Sequence, residues 1–70
     1  MKFARAIKLF RLTPRQSQVA QLVGRGMPQK QIADELKISV RTVESYLQDL
    51  RWKTQTRSTY QLVSVFSRYS

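Results

Sequence analysis

The sequence predicts an all-α fold, on two kinds of evidence. Thr13, Ser39 and Ser58 are hydroxyl residues suited to begin helices, and each precedes a segment whose apolar residues recur at helical spacing. The two Pro and two Gly residues of the chain all fall between residues 14 and 28, so none interrupts residues 39–53. Seventy residues are enough for one domain at most.

Residues 1–11 are predicted to form a basic amphipathic arm or a short helix. Phe3, Ile7 and Phe10 stand at helical spacing, and Lys or Arg residues interrupt every apolar stretch, unlike a signal peptide. Three interpretations stay open for this segment. It covers the core, it contacts phosphates, or it lies on a membrane surface.

Residues 12–70 are predicted to form four helices, and the first has the clearest start. Thr13 is suited to be its N-cap, Pro14 its first helical residue, and Gln16 the third member of a capping box. Gly24 and Gly26 are expected to end it.

The three remaining helices follow from similar signals. The second begins at Pro28, and the third, the candidate recognition helix, begins at Ser39 and covers about residues 39–53. The last begins at Ser58, with Gln61 three residues later, and covers about residues 58–69.

The second and third helices have the spacing of a helix-turn-helix, the supersecondary unit with which many proteins bind DNA. Ala33 is the small residue that allows the two helices to cross closely. The apolar residues expected to hold the corner are Ile32, Leu36, Ile38, Val40 and Val43. Periodicity alone is equally compatible with an ordinary packed helical hairpin.

The third helix has an outward stripe of unusual composition. Its buried face is predicted to be Val43, Leu47 and Leu50. The opposite stripe comprises Arg41, Ser45, Gln48 and Trp52, bordered by Glu44 and Asp49. Gln can bond adenine in a bidentate manner, Glu can accept from cytosine N4, and Ser can bond several base edges. Arg51, Lys53 and Arg57 follow, where the chain would lie beside backbone phosphates. The combination favours DNA.

The composition restricts the possible functions. Thirteen Lys and Arg against four Asp and Glu give a net charge of +9, which attracts nucleic acid, ribosomes or anionic membranes. With neither Cys nor His in the chain, zinc fingers and Ser-His-Asp catalysis are excluded. The four carboxylates lack calcium-loop spacing. We therefore expect no enzyme activity, no metal and no cofactor. No apolar run approaches the roughly 18 residues that span a bilayer, so membrane insertion is not expected.

One long segment of the chain resembles a known family. The segment LTPRQSQVAQLVGRGMPQKQIADELKISVRTVESYLQDLRWKT is similar to the LuxR/GerE-type DNA-binding domain of bacterial transcription regulators, over about residues 12–66. The resemblance implies a four-helix helix-turn-helix domain in the bacterial cytoplasm. It also implies a third helix that enters the major groove of double-stranded DNA, a last helix that forms a twofold dimer contact, and neither cofactor nor catalysis.

The resemblance also implies roles position by position. The residues that fall where family members read bases are Glu44, Ser45 and Gln48. Those that fall where they hold phosphates are Arg41, Thr42, Lys53, Gln29 and Lys30. The chain departs from the family at Gln16, where Glu is usual, and at Glu44 and Trp52, where basic residues are frequent.

The last helix is expected to make a homodimer. Its apolar stripe comprises Leu62, Val65, Phe66 and Tyr69, and the candidate dimer contacts are Leu62, Val63, Phe66 and Tyr69. Packing on the first helix is the alternative use of these side chains. Two copies would address half-sites roughly 34 Å apart.

The initiating Met favours a stand-alone chain, with no room for a receiver or ligand-binding domain. The expected function is therefore that of a small sequence-specific transcription regulator. An alternative is an interaction protein that sequesters a larger regulator of the same family in a mixed dimer. A basic RNA- or ribosome-binding module would fit the charge but not the helix-turn-helix spacing.

Overall fold

The computed structural model describes residues 2–69, which form five helices. They are α1 (Lys2–Phe10), α2 (Pro14–Gly24), α3 (Gln29–Leu36), α4 (Val40–Thr54) and α5 (Thr59–Ser67). The predicted all-α class is confirmed, and the amphipathic segment at the N-terminus is a helix. No helix within residues 2–69 is long and apolar enough to cross a membrane.

The start of α2 is the predicted capping box. The Thr13 hydroxyl accepts a hydrogen bond from the Gln16 amide N–H at 3.1 Å, and the Thr13 N–H donates to Gln16 Oε1 at 3.0 Å. Pro14 occupies the first turn, where its missing N–H costs nothing. These two bonds fix where the chain leaves α1 and enters α2.

The starts of the other three predicted helices also follow their predicted signals. Pro28 precedes α3 as its N-cap. The Ser39 and Ser58 hydroxyls accept from backbone N–H groups three residues on, and so cap α4 and α5. The C-caps of α3 and α4 are Lys37 and Gln55, which adopt the left-handed conformation at φ 57° and 56°.

One core joins all five helices. Its largest fully buried side chains are Phe66, Ile32, Leu47, Leu50, Leu62, Val19, Val23 and Val43. Both α2 and α5 pack against α4, which also contacts α3 along the helix-turn-helix corner.

Helix α1 is part of this core, as the first interpretation of residues 1–11 expected. Phe3 and Ala6 are buried, and Phe10 meets Phe66 edge-on with ring centroids 5.8 Å apart. The helix therefore covers α5. Because its apolar face is occupied in this way, it does not present that face to a membrane.

The expectation for Val40 was wrong. It was predicted to hold the corner between the second and third helices, but 45% of its surface is exposed. Val40 is the first residue of α4, immediately after the cap, so its side chain lies at the rim of the corner. Ile38, one residue before the cap, packs against the core instead.

Candidate nucleic-acid interface

The corner between α3 and α4 determines where α4 points. Ile32 and Ala33 of α3 are buried, and the Ile38 N–H donates to the Ala33 carbonyl at 3.0 Å, which closes the turn. Leu36 and Ile38 are half-buried against the same cluster. Ala33 is 3% exposed, so a larger side chain at this position would meet its neighbours in the corner.

The two faces of α4 are sharply divided. Val43, Leu47 and Leu50 have no exposed surface. The exposed side chains of the opposite face are Arg41, Glu44, Ser45, Gln48, Asp49 and Trp52. We call Arg41, Ser45, Gln48 and Trp52 the outer stripe of α4. They recur every three or four residues and so share one face of the helix.

The three predicted base-reading residues lie together on this face. Glu44, Ser45 and Gln48 are all exposed on successive turns of α4. Their short or planar side chains supply one carboxylate, one hydroxyl and one amide. This set can both donate to and accept from base edges in a groove wide enough for a helix.

The predicted phosphate-contacting residues lie in different surroundings. Arg41 and Lys30 are exposed at the beginnings of α4 and α3, while Gln29 and Arg51 are half-buried. The Thr42 hydroxyl lies 2.9 Å from that of Ser39, so it belongs to the cap of α4.

Lys53 has structural partners that the sequence did not indicate. Its Nζ donates to the Arg11 carbonyl oxygen at 2.6 Å and to Gln16 Oε1 at 2.7 Å. These bonds join the end of α4 to the turn between α1 and α2. Lysine has three N–H donors, so one is left for the predicted phosphate contact.

Trp52 is 83% exposed at the C-terminal end of the outer stripe. It borders an open cavity of about 860 Å³ lined by Gln48, Arg51, Trp52, Lys53, Gln55, Thr56 and Arg57. Arg57 follows the left-handed turn at Gln55 and lines the same cavity as the indole. Indole next to guanidinium groups suits either a nucleic acid or a partner protein.

The four predicted dimer residues do not form one exposed patch. Leu62 and Phe66 have no exposed surface within the single chain, because they pack against the core beneath α1 and α2. Val63 and Tyr69 are half-buried. A partner could reach only these last two without opening the domain.

Sequence reasoning missed one cluster of cations entirely. Lys2, Arg5 and Arg68 meet at the far ends of α1 and α5 around Tyr69. The sequence does show that all four acids lie between residues 34 and 49, so that the only charged residues at both ends of the chain are cations. It does not show that the two ends of the chain meet in space.

A family model and two individual relatives all match this chain as regulatory proteins. The family model described as bacterial regulatory proteins of the luxR family matches residues 11–66. The chain is 49% identical over 51 residues to a response regulator, Rre1, of Synechocystis sp.. It is also 49% identical over 51 residues to a probable transcriptional regulator, ycf29, of Cyanophora paradoxa.

Each of these matches covers 73% of the chain but only 22% and 24% of the respective relatives. The chain thus spans about a quarter of their length. No solved structure gave a significant match. The matched residues include the whole of α2, α3 and α4 and leave α1 outside. The chain belongs to the luxR family of bacterial regulatory proteins.

Proposed function

We propose that this chain is a sequence-specific DNA-binding transcription regulator whose helix α4 enters the major groove. One observation carries the proposal. The corner between α3 and α4 buries one face of α4 completely and leaves a continuous outer stripe of hydrogen-bonding side chains. An α-helix fits the major groove, where each base pair has its own pattern of donors and acceptors.

The DNA-contacting residues of α3 and α4 divide into two groups. Glu44, Ser45 and Gln48 read base edges, because their side chains are short or planar and project from the middle of α4. The group that holds phosphates comprises Arg41, Thr42, Gln29, Lys30, Arg51 and Lys53. These contacts supply affinity and register but carry little sequence information.

The chain acts in the bacterial cytoplasm and binds DNA as a homodimer through α5. Val63 forms the contact, since Leu62 and Phe66 are already used inside the domain and Tyr69 packs edge-on against Phe10. Tyr60 is 84% exposed in the first turn of α5 and is available to the same partner. Two copies then address half-sites roughly 34 Å apart.

A second candidate function is favoured by Trp52. An indole 83% exposed is unusual on a small domain, and aromatic side chains of this kind often anchor protein interfaces. The chain would then bind a larger regulator of the same family in a mixed dimer and keep it from DNA. In this case duplex DNA would bind only weakly.

Selection of bound duplexes from a random pool at physiological salt tests the proposal. A sequence-specific regulator enriches one motif, which should bind roughly 10³-fold or more tightly than bulk DNA. A pool without enrichment would contradict the proposal and favour the second candidate.

Trp52→Ala separates the two candidates, with Leu9→Ala as a control that removes an exposed apolar side chain from α1. The second candidate requires Trp52→Ala alone to weaken binding to a larger luxR-type regulator. Under the first candidate, the selected motif stays the same in both variants.

A further inference from the structure

The positive charge of this protein is not concentrated on its helix-turn-helix pair. Residues 29–54, from the start of α3 to the end of α4, contain five Lys and Arg and all four acids, a net charge of +1. The other eight cations lie outside this range with no acid among them. Most of the attraction for a polyanion therefore comes from the remainder of the molecule.

Three of these cations converge on one cavity. Lys2 and Arg5 project from the first turns of α1, and Arg68 follows the end of α5. With Tyr69 they line an open space of about 470 Å³. All three cations are exposed, and Tyr69 is held by an edge-on contact with Phe10 at 6.3 Å between ring centroids. We call these four residues the terminal cluster.

The terminal cluster is remote from the outer stripe of α4. Helices α2 and α5 pack against the buried side of α4, and α1 reaches this core through Phe3 and Phe10, whose rings contact Phe66. The turn that follows α1 approaches α4, where Lys53 bonds the Arg11 carbonyl. Lys2 lies nine residues before Arg11, about 13 Å along the helix axis.

At physiological ionic strength the Debye length is about 8 Å, which is shorter than the roughly 13 Å between Lys2 and the turn that contacts α4. A charge at the start of α1 is therefore largely screened from a duplex in front of α4. It can contribute to binding only through phosphates that it contacts itself.

We propose that the terminal cluster is a second, sequence-independent DNA-binding surface that holds the phosphates of another duplex segment, so that one protomer bridges two duplexes. Two guanidinium groups and one ammonium group suit successive phosphates of a DNA backbone, and the Tyr69 hydroxyl adds a donor. The ligand is a nucleic acid rather than a lipid surface, because Phe3, Ala6 and Phe10 of α1 pack on the core and Leu9 is the one large apolar side chain that α1 exposes.

Bridging rests on the proposed function, since α4 must hold the first duplex. Binding of DNA by the terminal cluster alone does not rest on the proposed function. A variant with Arg41→Ala and Gln48→Ala removes two exposed side chains of the outer stripe and leaves the core unchanged. Its residual binding to DNA should be independent of sequence and should require Lys2, Arg5 and Arg68.

The experiment is a capture assay. The selected duplex is immobilised, the full chain is added, and retention of a labelled duplex without the selected motif is measured. The wild-type chain retains the labelled duplex. The variant with Lys2→Gln, Arg5→Gln and Arg68→Gln should retain at least about tenfold less, while its affinity for the selected duplex changes by less than about threefold. In the outer-stripe variant the same three changes should lower the salt slope by roughly 2 to 3, at roughly 0.9 for each phosphate contact.

A matched control removes three charges elsewhere. The variant with Lys8→Gln, Arg15→Gln and Arg25→Gln changes exposed cations that line neither the terminal cluster nor the cavity beside Trp52, so both triple variants have a net charge of +6, three below the +9 of the natural chain. Thermal melts by circular dichroism establish that each variant is folded.

Three results would overturn the proposal. The first is unchanged capture by the terminal-cluster variant, and the second is equal loss in both triple variants, which would indicate an effect of net charge. The third is binding to phosphatidylglycerol vesicles that depends on the terminal cluster while capture does not. If the outer-stripe variant binds the selected duplex as tightly as the wild type, the proposed function fails, and the terminal cluster is still judged by its own variant.

Discussion

At the scale of single residues, the bonds of Lys53 connect three parts of the fold. Its ammonium group donates to the Arg11 carbonyl and to Gln16 Oε1, and the same Gln16 oxygen accepts from Thr13 N–H. Gln16 is 9% exposed, so this polar centre lies at the edge of the core. A neutral amide here only partly compensates the charge of Lys53, whereas a carboxylate would compensate it fully.

Gln16→Glu is therefore expected to stabilise the domain. The carboxylate would pair with Lys53, keep the capping box and lie favourably at the N-terminus of α2. We expect a gain of about 1 kcal/mol, which raises the melting temperature by roughly 4–8 °C in a domain of this size. Gln18→Glu makes the same charge change on exposed surface of α2, where Arg15 already bonds Gln18 Oε1 at 3.1 Å, and is the control for an exposed pair, which should add little. Equal changes of the melting temperature in the two variants would contradict a specific bond between residue 16 and Lys53.

Gln48 and Arg41 are predicted to contribute differently to DNA binding. Gln48→Ala should cost about 1–3 kcal/mol on the selected duplex and little on unrelated DNA, because it removes contacts to base edges. Arg41→Ala should weaken binding to every duplex alike and reduce the salt slope by roughly 0.9. Both predictions are checked by measuring the affinity of each variant for the selected duplex and for unrelated duplexes at several salt concentrations. Equal losses on all sequences in the two variants would count against base reading by α4.

At the scale of helices, α1 is an integral layer of the core. Phe3 is 5% exposed, and its ring lies 5.9 Å from that of Phe66. Phe3→Ala should lower the free energy of unfolding by about 3 kcal/mol, as is typical when a buried aromatic ring is removed. Leu9→Ala on the same helix removes a side chain that is 64% exposed, and it should cost less than about 0.5 kcal/mol. Urea unfolding measures both, and similar small losses would show that α1 is not packed as described.

The crossing of α2 and α5 depends on Gly24. A Cβ built there would lie 3.0 Å from the backbone C and O atoms of Phe66, which cannot turn aside as a side chain could. Alanine would favour the helix by up to about 1 kcal/mol. The clash should outweigh this gain, so we expect Gly24→Ala to destabilise the domain by about 1–2 kcal/mol net.

Gly26→Ala is the comparison for Gly24. A Cβ at this position meets open space, but φ is +81°, so the cost should be about 1 kcal/mol and purely conformational. Urea unfolding of the two variants checks the distinction. A Gly24→Ala chain more stable than the natural one would show that α2 and α5 are not in close contact there.

Helix starts could be predicted from the sequence because their causes are local. Thr13, Ser39 and Ser58 each bond a backbone N–H three residues on, so a short window contains the whole interaction. Contacts between Phe3 and Phe66 join positions 63 residues apart, and no local pattern encodes them. For the same reason the sequence left three interpretations of residues 1–11 open and did not show why Gly24 is needed.

The candidate site was predictable to a similar extent. Helical periodicity gave the buried and exposed faces of α4 correctly, because they follow from one helix alone. Periodicity could not show that Leu62 and Phe66 are fully buried in the core, or that Lys53 bonds Gln16. Both features depend on how elements distant in sequence pack together. The roles assigned to Glu44, Ser45 and Gln48 stay predictions.

At the scale of the whole molecule, charge and shape are arranged unequally. The helix-turn-helix pair has a net charge of +1, and the other eight cations lie in α1, in α2 and in the segments between or after the helices, on a body that measures 27 × 25 × 19 Å. A field of this kind speeds encounter with DNA without selecting a sequence. Under the proposed function, selection of a sequence depends on a few groups along the outer stripe of α4.

The most direct measurement of the central claim is a nuclear magnetic resonance titration of the 8.2 kDa chain with the selected duplex. With one equivalent of DNA, we predict the largest chemical-shift changes at the backbone amides of Arg41 and Ser45 and at the side-chain amide of Gln48. Unchanged signals from these three residues, with large changes elsewhere, would contradict entry of α4 into the major groove.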